Sequence, residues 1–311
     1  MTGLVIKSTG SWYAVRLANN SIVECRLKGK IRLDDRKTTN PVAVGDTVTV
    51  EKTDDGNHTI SFIAPRKNYI IRKSINLSKQ AHIIASNLDQ AILVATIVAP
   101  RTSLGFIDRF LVTAEAYDIP AKIVFNKSDL LDEETLALQN EMMQLYINIG
   151  YECYAVSALS EKDITFFKTL LKDKITLLSG HSGVGKSTLV NAIEPNLFLK
   201  TGNISSTHLK GMHTTTFAEL FPLSFGGDII DSPGIKELGL VEMKKEEVGN
   251  YFREIKELSN HCKFNNCLHV NEPKCAVIEA LEKGGISQER YQSYLGILNG
   301  EEMNWKEWEI R

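Results

Sequence analysis

The most specific chemical signal in this chain is a loop of the type that binds phosphate groups. It fits the template G-x-x-x-x-G-K-[ST] and consists of nine consecutive residues: Gly180, His181, Ser182, Gly183, Val184, Gly185, Lys186, Ser187 and Thr188. Glycines allow backbone N–H groups to turn towards phosphate oxygens, and a following helix presents its positive end to them. In such loops the lysine, here Lys186, binds and polarises the β- and γ-phosphates, so we assign it a catalytic role as well. The hydroxyl of Ser187 is expected to bind Mg²⁺.

A second motif, Asn126-Lys-Ser-Asp129, predicts which base the nucleotide carries. The carboxylate of Asp129 can accept hydrogen bonds from both N1–H and N2–H₂ of guanine, a donor pair that adenine lacks. Asn126 would brace the loop, the stem of Lys127 would cover the base, and Ser157-Ala158 could offer a backbone N–H to the guanine oxygen. The alternative is a polar turn between a strand and a helix, because Asn, Ser and Asp are natural helix caps.

A third segment, Asp231-Ser-Pro-Gly234, follows an apolar strand and completes the set expected of a nucleotide hydrolase. Asp231 is predicted to hold Mg²⁺ through water, and the Gly234 N–H to contact the γ-phosphate. Small GTPases often carry a glutamine directly after this glycine, where it orients the attacking water. Here the position is Ile235, which cannot hydrogen-bond a water, so catalysis must use a group from elsewhere.

The nearest candidate for that group is His213, in the polar segment 211–216 between the phosphate loop and Asp231. One of the three threonines that follow it should bind Mg²⁺ and contact the γ-phosphate, and we favour Thr215 over Thr214 and Thr216. Thr215 is therefore a candidate catalytic residue, as Lys186 is. We predict that His213 is catalytic because it is adjacent to this threonine. The alternative is a solvated histidine without a role in the reaction.

The order of the motifs is as informative as their identity. An ordinary GTPase carries its guanine motif downstream of the phosphate loop, whereas here 126–129 precede 180–188 and 231–234 follow. This rotated order predicts a circularly permuted GTPase. An ATPase or a small-molecule kinase is the competing enzyme class, and Asp129 argues against it.

A cluster near the C-terminus has the spacing of a metal site, C-x4-C-x-H-x5-C. Its four candidate ligands are Cys262, Cys267, His269 and Cys275. Three thiolates and one imidazole complete a closed tetrahedral shell, which is typical of structural rather than catalytic zinc. We therefore predict one structural zinc ion. The alternatives are unrelated buried cysteines or a redox pair.

Patterning along the chain indicates the elements that must position these motifs. The first 65 residues contain alternating segments separated by turns at Asn19-Asn20 and 54–57, which predicts five short strands and a barrel of the oligonucleotide-binding type. Residues 65–74 are expected to form a basic connector. Residues 1–75 carry a clear excess of Lys and Arg over Asp and Glu, which favours nucleic acid as a partner over a merely solvated basic face.

Beyond residue 80 the pattern alternates between strands and helices, which predicts a mostly parallel sheet flanked by helices. The strands are expected at 91–99, 121–125, 151–156 and 174–179, and the helices at 105–118 and from about 132, 161 and 189. Residues after 244 are mostly helical by pattern. The prediction is a multi-domain α/β protein with a barrel in 1–70, a permuted GTPase domain in 71–243 and a helical zinc-binding domain in 244–311.

Composition narrows the class of protein. The chain has 311 residues, of which 43% are hydrophobic, and a formal net charge of −2. Its longest apolar run, 91–99, is about half the length of a membrane-spanning helix, and the first residues lack the features of a signal peptide. We expect a soluble, cytoplasmic protein with no membrane partner. Cys25 and Cys153, outside the cluster, are expected to be buried thiols in a reducing compartment.

Together, NKSD, GHSGVGKST, GMHTTT, DSPGI and the cysteine cluster resemble one family across the whole chain: the circularly permuted RsgA GTPases, which depend on the small ribosomal subunit. The resemblance implies a role in late maturation of that subunit, contact with its rRNA through the outer domains, and hydrolysis of GTP to GDP stimulated by the subunit. It also implies a catalytic part for His213 and zinc ligation by the four cluster residues. We expect a monomer. The alternative function is a nucleotide-gated rRNA-binding switch in which hydrolysis is incidental.

Overall fold

The computed structural model describes residues 1–28, 41–54, 56–73, 81–195, 197, 218–231 and 243–300. The chain divides into two compact units, each made of three chain segments. The first contains Met1–Ile92, Ala158–Ser179 and Lys186–Gly239. The second contains Leu93–Ser157, Gly180–Gly185 and Leu240–Arg311.

The first unit begins with a five-stranded barrel. Its strands are β1 (Thr2–Ser8), β2 (Tyr13–Leu17), β3 (Ile22–Leu27), β4 (Thr47–Lys52) and β5 (His58–Ile63). The sheet closes because β1 pairs with both β2 and β4, β2 pairs with β3, and β5 pairs with β3 and β4. Alternate side chains such as Val15, Val50 and Ile60 fill the interior. The predicted barrel is confirmed, and Asn20 adopts the left-handed conformation (φ 62°) in the turn between β2 and β3.

The basic connector predicted at 65–74 is wrong in part. Residues Tyr69–Lys73 form strand β6, which pairs antiparallel with β7 (Ala81–Ser86). This strand forms because Ile70, Ile83 and Ala85 are all buried, an apolar set that the flanking basic residues mask in the sequence. Arg66, just before β6, is also structural, since it forms two hydrogen bonds of 2.6 and 2.7 Å to the buried carboxylate of Asp46.

The remainder of the first unit carries strands that lead towards the nucleotide motifs. β11 (Ile175–Ser179) pairs in parallel with β13 (Asp228–Asp231), and β12 (Glu219–Pro222) pairs antiparallel with β13. β12 also pairs with β1 of the barrel. Arg16 of β2 binds both carboxylate oxygens of Asp228 at 2.7 Å, so a bidentate ion pair joins the barrel to the start of β13. Within the described residues of this unit, the helices are α3 (Glu161–Leu171) and α4 (Lys186–Ile193).

The second unit contains the guanine motif, the glycine-rich part of the phosphate loop and the cysteine cluster. Strands β9 (Ala121–Phe125) and β10 (Glu152–Ala155) pair in parallel, and β8 (Gln90–Ala95) enters this unit at Leu93. In the part of this unit that the structure describes, the helices are α1 (Leu104–Ala116), α2 (Glu133–Asn148), α5 (Lys245–Val248), α6 (Arg253–Ser259), α7 (Ala276–Glu282) and α8 (Gln288–Leu298). The last four share a core with α1, in which Val112 lies buried with residues such as Phe252 and Ile255.

These features confirm the predicted fold class, while the domain boundaries remain a prediction. Cys25 and Cys153 are buried thiols as expected; burial raises the pKa of the Cys25 thiol to about 11 and that of Cys153 to about 12. Of the helices in the described ranges, none is both long and apolar enough to cross a membrane.

Candidate nucleotide site and metal centre

The phosphate loop lies between a strand and a helix. β11 ends at Ser179, and α4 begins at Lys186, directly after the last loop glycine. Gly180 and Gly185 have φ angles of 142° and 93°, and a Cβ at Gly185 would lie 2.3 Å from Asn126 Nδ2. Only glycine permits both this backbone conformation and this close approach. The loop can therefore keep its N–H groups free of side-chain obstruction.

Asn126 connects the guanine motif to the phosphate loop. Its side chain is buried, and its Nδ2 donates a hydrogen bond of 2.9 Å to the Val184 carbonyl inside the loop. Its own N–H donates to the Ala95 carbonyl at 2.8 Å, which fixes the end of β9 to the end of β8. The two motifs, more than fifty residues apart in the sequence, thus meet beside the carboxyl ends of β8 and β9. Open α/β sheets bind ligands at this edge.

The loop that carries the guanine motif is fixed by its backbone conformation and by a serine. Lys127 is in the left-handed conformation (φ 65°), and its Nζ donates to the Ala99 carbonyl. Asp129 is exposed at its loop position and accepts a hydrogen bond of 2.5 Å from Ser157 Oγ. Because one carboxylate oxygen is engaged in this way, the carboxyl plane is oriented before any base arrives. The sequence predicts a role only for the backbone of Ser157-Ala158 and gives no signal for this hydroxyl.

Three more of the predicted nucleotide residues begin α4, and a fourth ends β13. Lys186 is partly buried, Ser187 and Thr188 at the start of α4 are exposed, and Asp231 is the last residue of β13. His213, Thr215 and Gly234 lie outside the described residues. The structure therefore brings together, within one unit, residues 126–129, Ser157 and 180–185.

A second contact that sequence reasoning missed is aromatic. The ring of Phe106 on α1 stacks on the ring of His181 in the phosphate loop. The helical pattern placed Phe106 on one apolar face with Phe110, Leu111 and Ala114, and the last three are indeed buried. Periodicity identifies such a face but carries no information about the residue it contacts.

The four cluster residues form a compact donor set. Cys262 Sγ lies 3.6 Å from His269 Nδ1 and 3.9 Å from Cys275 Sγ, and His269 Nδ1 lies 3.4 Å from Cys275 Sγ. All four donor atoms, including that of Cys267, fall within 4.8 Å of one another. A tetrahedral zinc ion with bonds of about 2.3 Å to sulfur and about 2.0–2.1 Å to nitrogen separates its sulfur ligands by about 3.8 Å and sulfur from nitrogen by about 3.5 Å. The three separations among Cys262, His269 and Cys275 match this geometry.

The backbone around the donor set is fixed by neighbouring side chains. Tyr291 donates a hydrogen bond of 2.6 Å to the His269 carbonyl, and Tyr294 donates one of the same length to the Leu268 carbonyl. The Glu272 carboxylate accepts from three backbone N–H groups of the ligand loop, at 2.8 to 3.1 Å. Burial lowers the pKa of the His269 imidazole, which favours the neutral form that binds metals. The donor set is thus held in place by residues outside it.

Comparison with known protein families identifies two matching segments. The family model for the RsgA GTPase matches residues 63–241, and that for the RsgA N-terminal domain matches residues 2–60.

Relatives and solved structures match over nearly the full chain. The small ribosomal subunit biogenesis GTPase RsgA of Flavobacterium psychrophilum is 55% identical over 309 residues, covering 98% of this chain and 95% of that protein. Its counterpart from Phocaeicola vulgatus is 55% identical over 302 residues, 97% of each chain. The crystal structure of YjeQ from Thermotoga maritima has a TM-score of 0.79 at 34% identity, covering 96% of this chain and 97% of that one. The structure of YloQ, a circularly permuted GTPase, has a TM-score of 0.75 at 33% identity, covering 96% and 94%.

Proposed function

Because this chain belongs to the RsgA family of GTPases, we propose that it hydrolyses GTP to GDP and phosphate in the biogenesis of the small ribosomal subunit. One observation from the structure carries the nucleotide part of this proposal. The guanine motif and the phosphate loop, in rotated order along the chain, are joined by the hydrogen bond from Asn126 to Val184. A loop for the base and a loop for the phosphates, held to each other in this way, suit a guanine nucleotide.

Within this site each group has a proposed task. Asp129 binds the guanine edge, Lys127 covers the base, and the loop from Gly180 binds the phosphates through its N–H groups and Lys186. Mg²⁺ would be held by Ser187, Thr215 and, through water, Asp231. When bound, it supplies charge neutralisation at the phosphates.

The metal proposed for the cysteine cluster is zinc. Three sulfur donors and one imidazole nitrogen with tetrahedral spacing suit zinc, and four protein ligands leave no open position for catalysis. Its role would be structural, because the ligand loop itself contributes few large buried side chains.

The partner proposed for the barrel is rRNA of the small ribosomal subunit, bound by a monomer. The local excess of basic residues supports this, although the structure accounts for several of them. Arg16 and Arg66 are paired with Asp228 and Asp46, whereas Arg26 lies 4.0 Å over the partly exposed ring of Trp12. Affinity for rRNA should fall steeply with salt, in proportion to the phosphates contacted.

The decisive test is GTP turnover by the purified protein alone, with small ribosomal subunits, and with large subunits as the control. We expect stimulation by small subunits only. One feature of the sequence favours the alternative function, a nucleotide-gated binding switch. Ile235 occupies the position at which many GTPases carry a water-orienting glutamine. If GTP binds and small subunits bind in a nucleotide-dependent manner without accelerating turnover, the protein is a binding switch rather than a subunit-activated hydrolase.

Replacing His213 by alanine is expected to lower the subunit-stimulated kcat by about 10²- to 10⁴-fold, the usual contribution of a general base. GTP affinity should stay within a factor of about two, because a group that acts in the transition state contributes little to ground-state binding. Single-turnover hydrolysis and nucleotide titration measure the two quantities separately. His261→Ala is the matched control, and equal losses of kcat and affinity in His213→Ala would contradict a catalytic role.

A further inference from the structure

We propose that Phe106 is a positioning residue for the phosphate loop, which it holds in a nucleotide-binding conformation through His181. This inference rests on the assignment of that loop to the phosphates of GTP. It adds a residue that lies outside every motif of the nucleotide site and reaches that site from helix α1.

The two rings are in close contact. The centroids of the Phe106 and His181 rings lie 3.6 Å apart, with an interplanar angle of 30°, so the rings are stacked. His181 is the first residue after Gly180, and the loop turns at that glycine with a φ of 142°. Stacked aromatic pairs contribute beyond the area they bury, and their two rings restrict each other's orientation. The stack therefore restricts the loop at the residue that follows its first glycine.

The start of α1 gives Phe106 a fixed base. Ser103 caps the helix by accepting a hydrogen bond of 3.3 Å from the Phe106 N–H itself. Two further bonds tie the residue before this cap to the end of β8: the Thr96 N–H donates to Thr102 Oγ1 at 3.0 Å, and the Thr102 N–H donates to the Thr96 carbonyl at 2.8 Å. The backbone that carries the ring is thus anchored on the same strand end that supports Asn126.

The middle of α1 is anchored by a buried ion pair. Asp108, two residues after Phe106, accepts hydrogen bonds of 2.7 Å from Arg290 of α8 and from the Tyr146 hydroxyl. Arg290 also binds both carboxylate oxygens of Glu254, at 2.7 and 3.0 Å. Asp108 and Arg290 are almost completely buried, so solvent does not weaken this connection. These contacts hold the first half of α1, and with it the backbone of Phe106, against α8 and the end of β8.

Two residues thus hold the phosphate loop at two different points. Asn126 fixes Val184 in the second half of the loop, and Phe106 fixes His181 at its start. Binding sites that are held by supporting residues in this way bind tightly because little ordering is left for the ligand to impose. Loss of the stack should therefore cost nucleotide affinity while leaving the guanine preference set by Asp129 unchanged.

Three variants of the full-length, metal-loaded protein test this inference: Phe106→Leu, Phe106→Tyr and Phe110→Leu. Phe110 lies one turn further along α1 and is buried in the core. Phe110→Leu therefore removes a phenyl ring from the same helix at a position away from the phosphate loop, and it serves as the matched control. Phe106→Leu is expected to raise the Kd for GDP and for a non-hydrolysable GTP analogue by roughly three- to tenfold, the range of an aromatic pair. Phe106→Tyr keeps an aromatic ring and should therefore retain the wild-type Kd. Phe110→Leu should lower the unfolding temperature without changing Kd.

Turnover separates positioning from a general loss of structure. In Phe106→Leu, KM for GTP should rise with Kd while kcat per folded molecule changes little, and the ratio of GDP to ADP affinity should stay at its wild-type value. Wild-type Kd values in Phe106→Leu, or an equal rise in Phe110→Leu, would overturn the inference. Failure of the wild-type protein to bind GDP at all would instead remove the proposed function on which it rests.

Discussion

Replacing Cys275 by serine is expected to empty the metal centre, taking the metal content from about one ion per chain to none. Cys275 Sγ lies 3.4 Å from His269 Nδ1 and 3.9 Å from Cys262 Sγ, within the span of a single tetrahedral ion. A serine hydroxyl is a poor ligand for zinc because it is not deprotonated at neutral pH, whereas a coordinated thiol is. Three remaining donors then leave an incomplete shell.

Serine isolates the loss of the ligand from other effects. Cys275 is the N-cap residue of α7, and its thiol makes no capping hydrogen bond. Serine is among the preferred residues at the N-cap, so the substitution should not destabilise the start of α7. Any loss of stability can then be assigned to the metal.

That loss should be large and confined to one part of the second unit. In isolated zinc-finger peptides, binding of structural zinc supplies roughly 10–16 kcal/mol of apparent folding free energy. Here a smaller figure, on the order of 5 kcal/mol, is expected, because α5 to α8 also pack against α1 through an apolar core and the Arg290–Asp108 pair. Hydrogen exchange should accelerate first in 262–275, because this segment carries all four proposed ligands and forms no helix or strand.

Metal content is measured by plasma emission spectrometry, and hydrogen exchange is measured by mass spectrometry. Cys153→Ala is the control, since it removes a buried thiol of the same unit from outside the cluster. That variant should retain its metal. Retention of metal by Cys275→Ser, or unchanged exchange in 262–275 after the metal is lost, would contradict a structural zinc centre.

Local signals in the sequence predicted the elements but not their contacts. The strand, glycine-rich loop and helix around 180–188 follow from hydrophobic patterning and glycine placement, both short-range properties of the chain. The turn at Asn19-Asn20 follows from the tolerance of asparagine for positive φ. β6 was missed because its two apolar isoleucines are followed by basic residues, and its partner β7 lies beyond a segment of no clear pattern.

Contacts between distant residues could not be read from periodicity at all. Asp108 lies on the buried face of α1, and its partner Arg290 is 182 positions away. A buried arginine also contradicts the usual expectation for its residue type, so composition misleads at this position. The same limit applies to Ser157 and Asp129, whose hydrogen bond arises only when the ends of β9 and β10 lie side by side.

Replacing Asp129 by asparagine is expected to reduce GDP affinity by about 10²- to 10⁴-fold, the product of two hydrogen bonds to a charged group at about 1.5–3 kcal/mol each. The carboxylate presents only acceptors, and guanine presents two donors, N1–H and N2–H₂. Asparagine instead presents one acceptor and one donor. Its amide N–H would then face the guanine amino group, which leaves two buried donors opposed.

A matched control is available three residues away. Asp132 is the N-cap of α2 and accepts a hydrogen bond of 2.9 Å from the Thr135 N–H. Asp132→Asn removes the same charge from the same loop while retaining an oxygen for the cap. Its GDP affinity should match that of the wild-type protein, so a general effect of lost charge would appear in both variants and a specific effect in Asp129→Asn alone.

A more specific test of the role of Asp129 is a gain of affinity for a different base. Xanthine carries a carbonyl oxygen where guanine carries its amino group, so its edge offers one donor and one acceptor, the complement of an asparagine amide. Asp129→Asn should therefore bind xanthosine diphosphate more tightly than the wild-type protein does, with the Ser157 hydroxyl still available to orient the side-chain oxygen. Competition titrations with GDP, ADP and xanthosine diphosphate would show the exchange of preference. If Asp129→Asn keeps its preference for GDP, Asp129 does not read the base, whereas a loss of GDP affinity without gain for xanthosine diphosphate would mean that Asp129 shapes the loop instead of contacting the nucleotide.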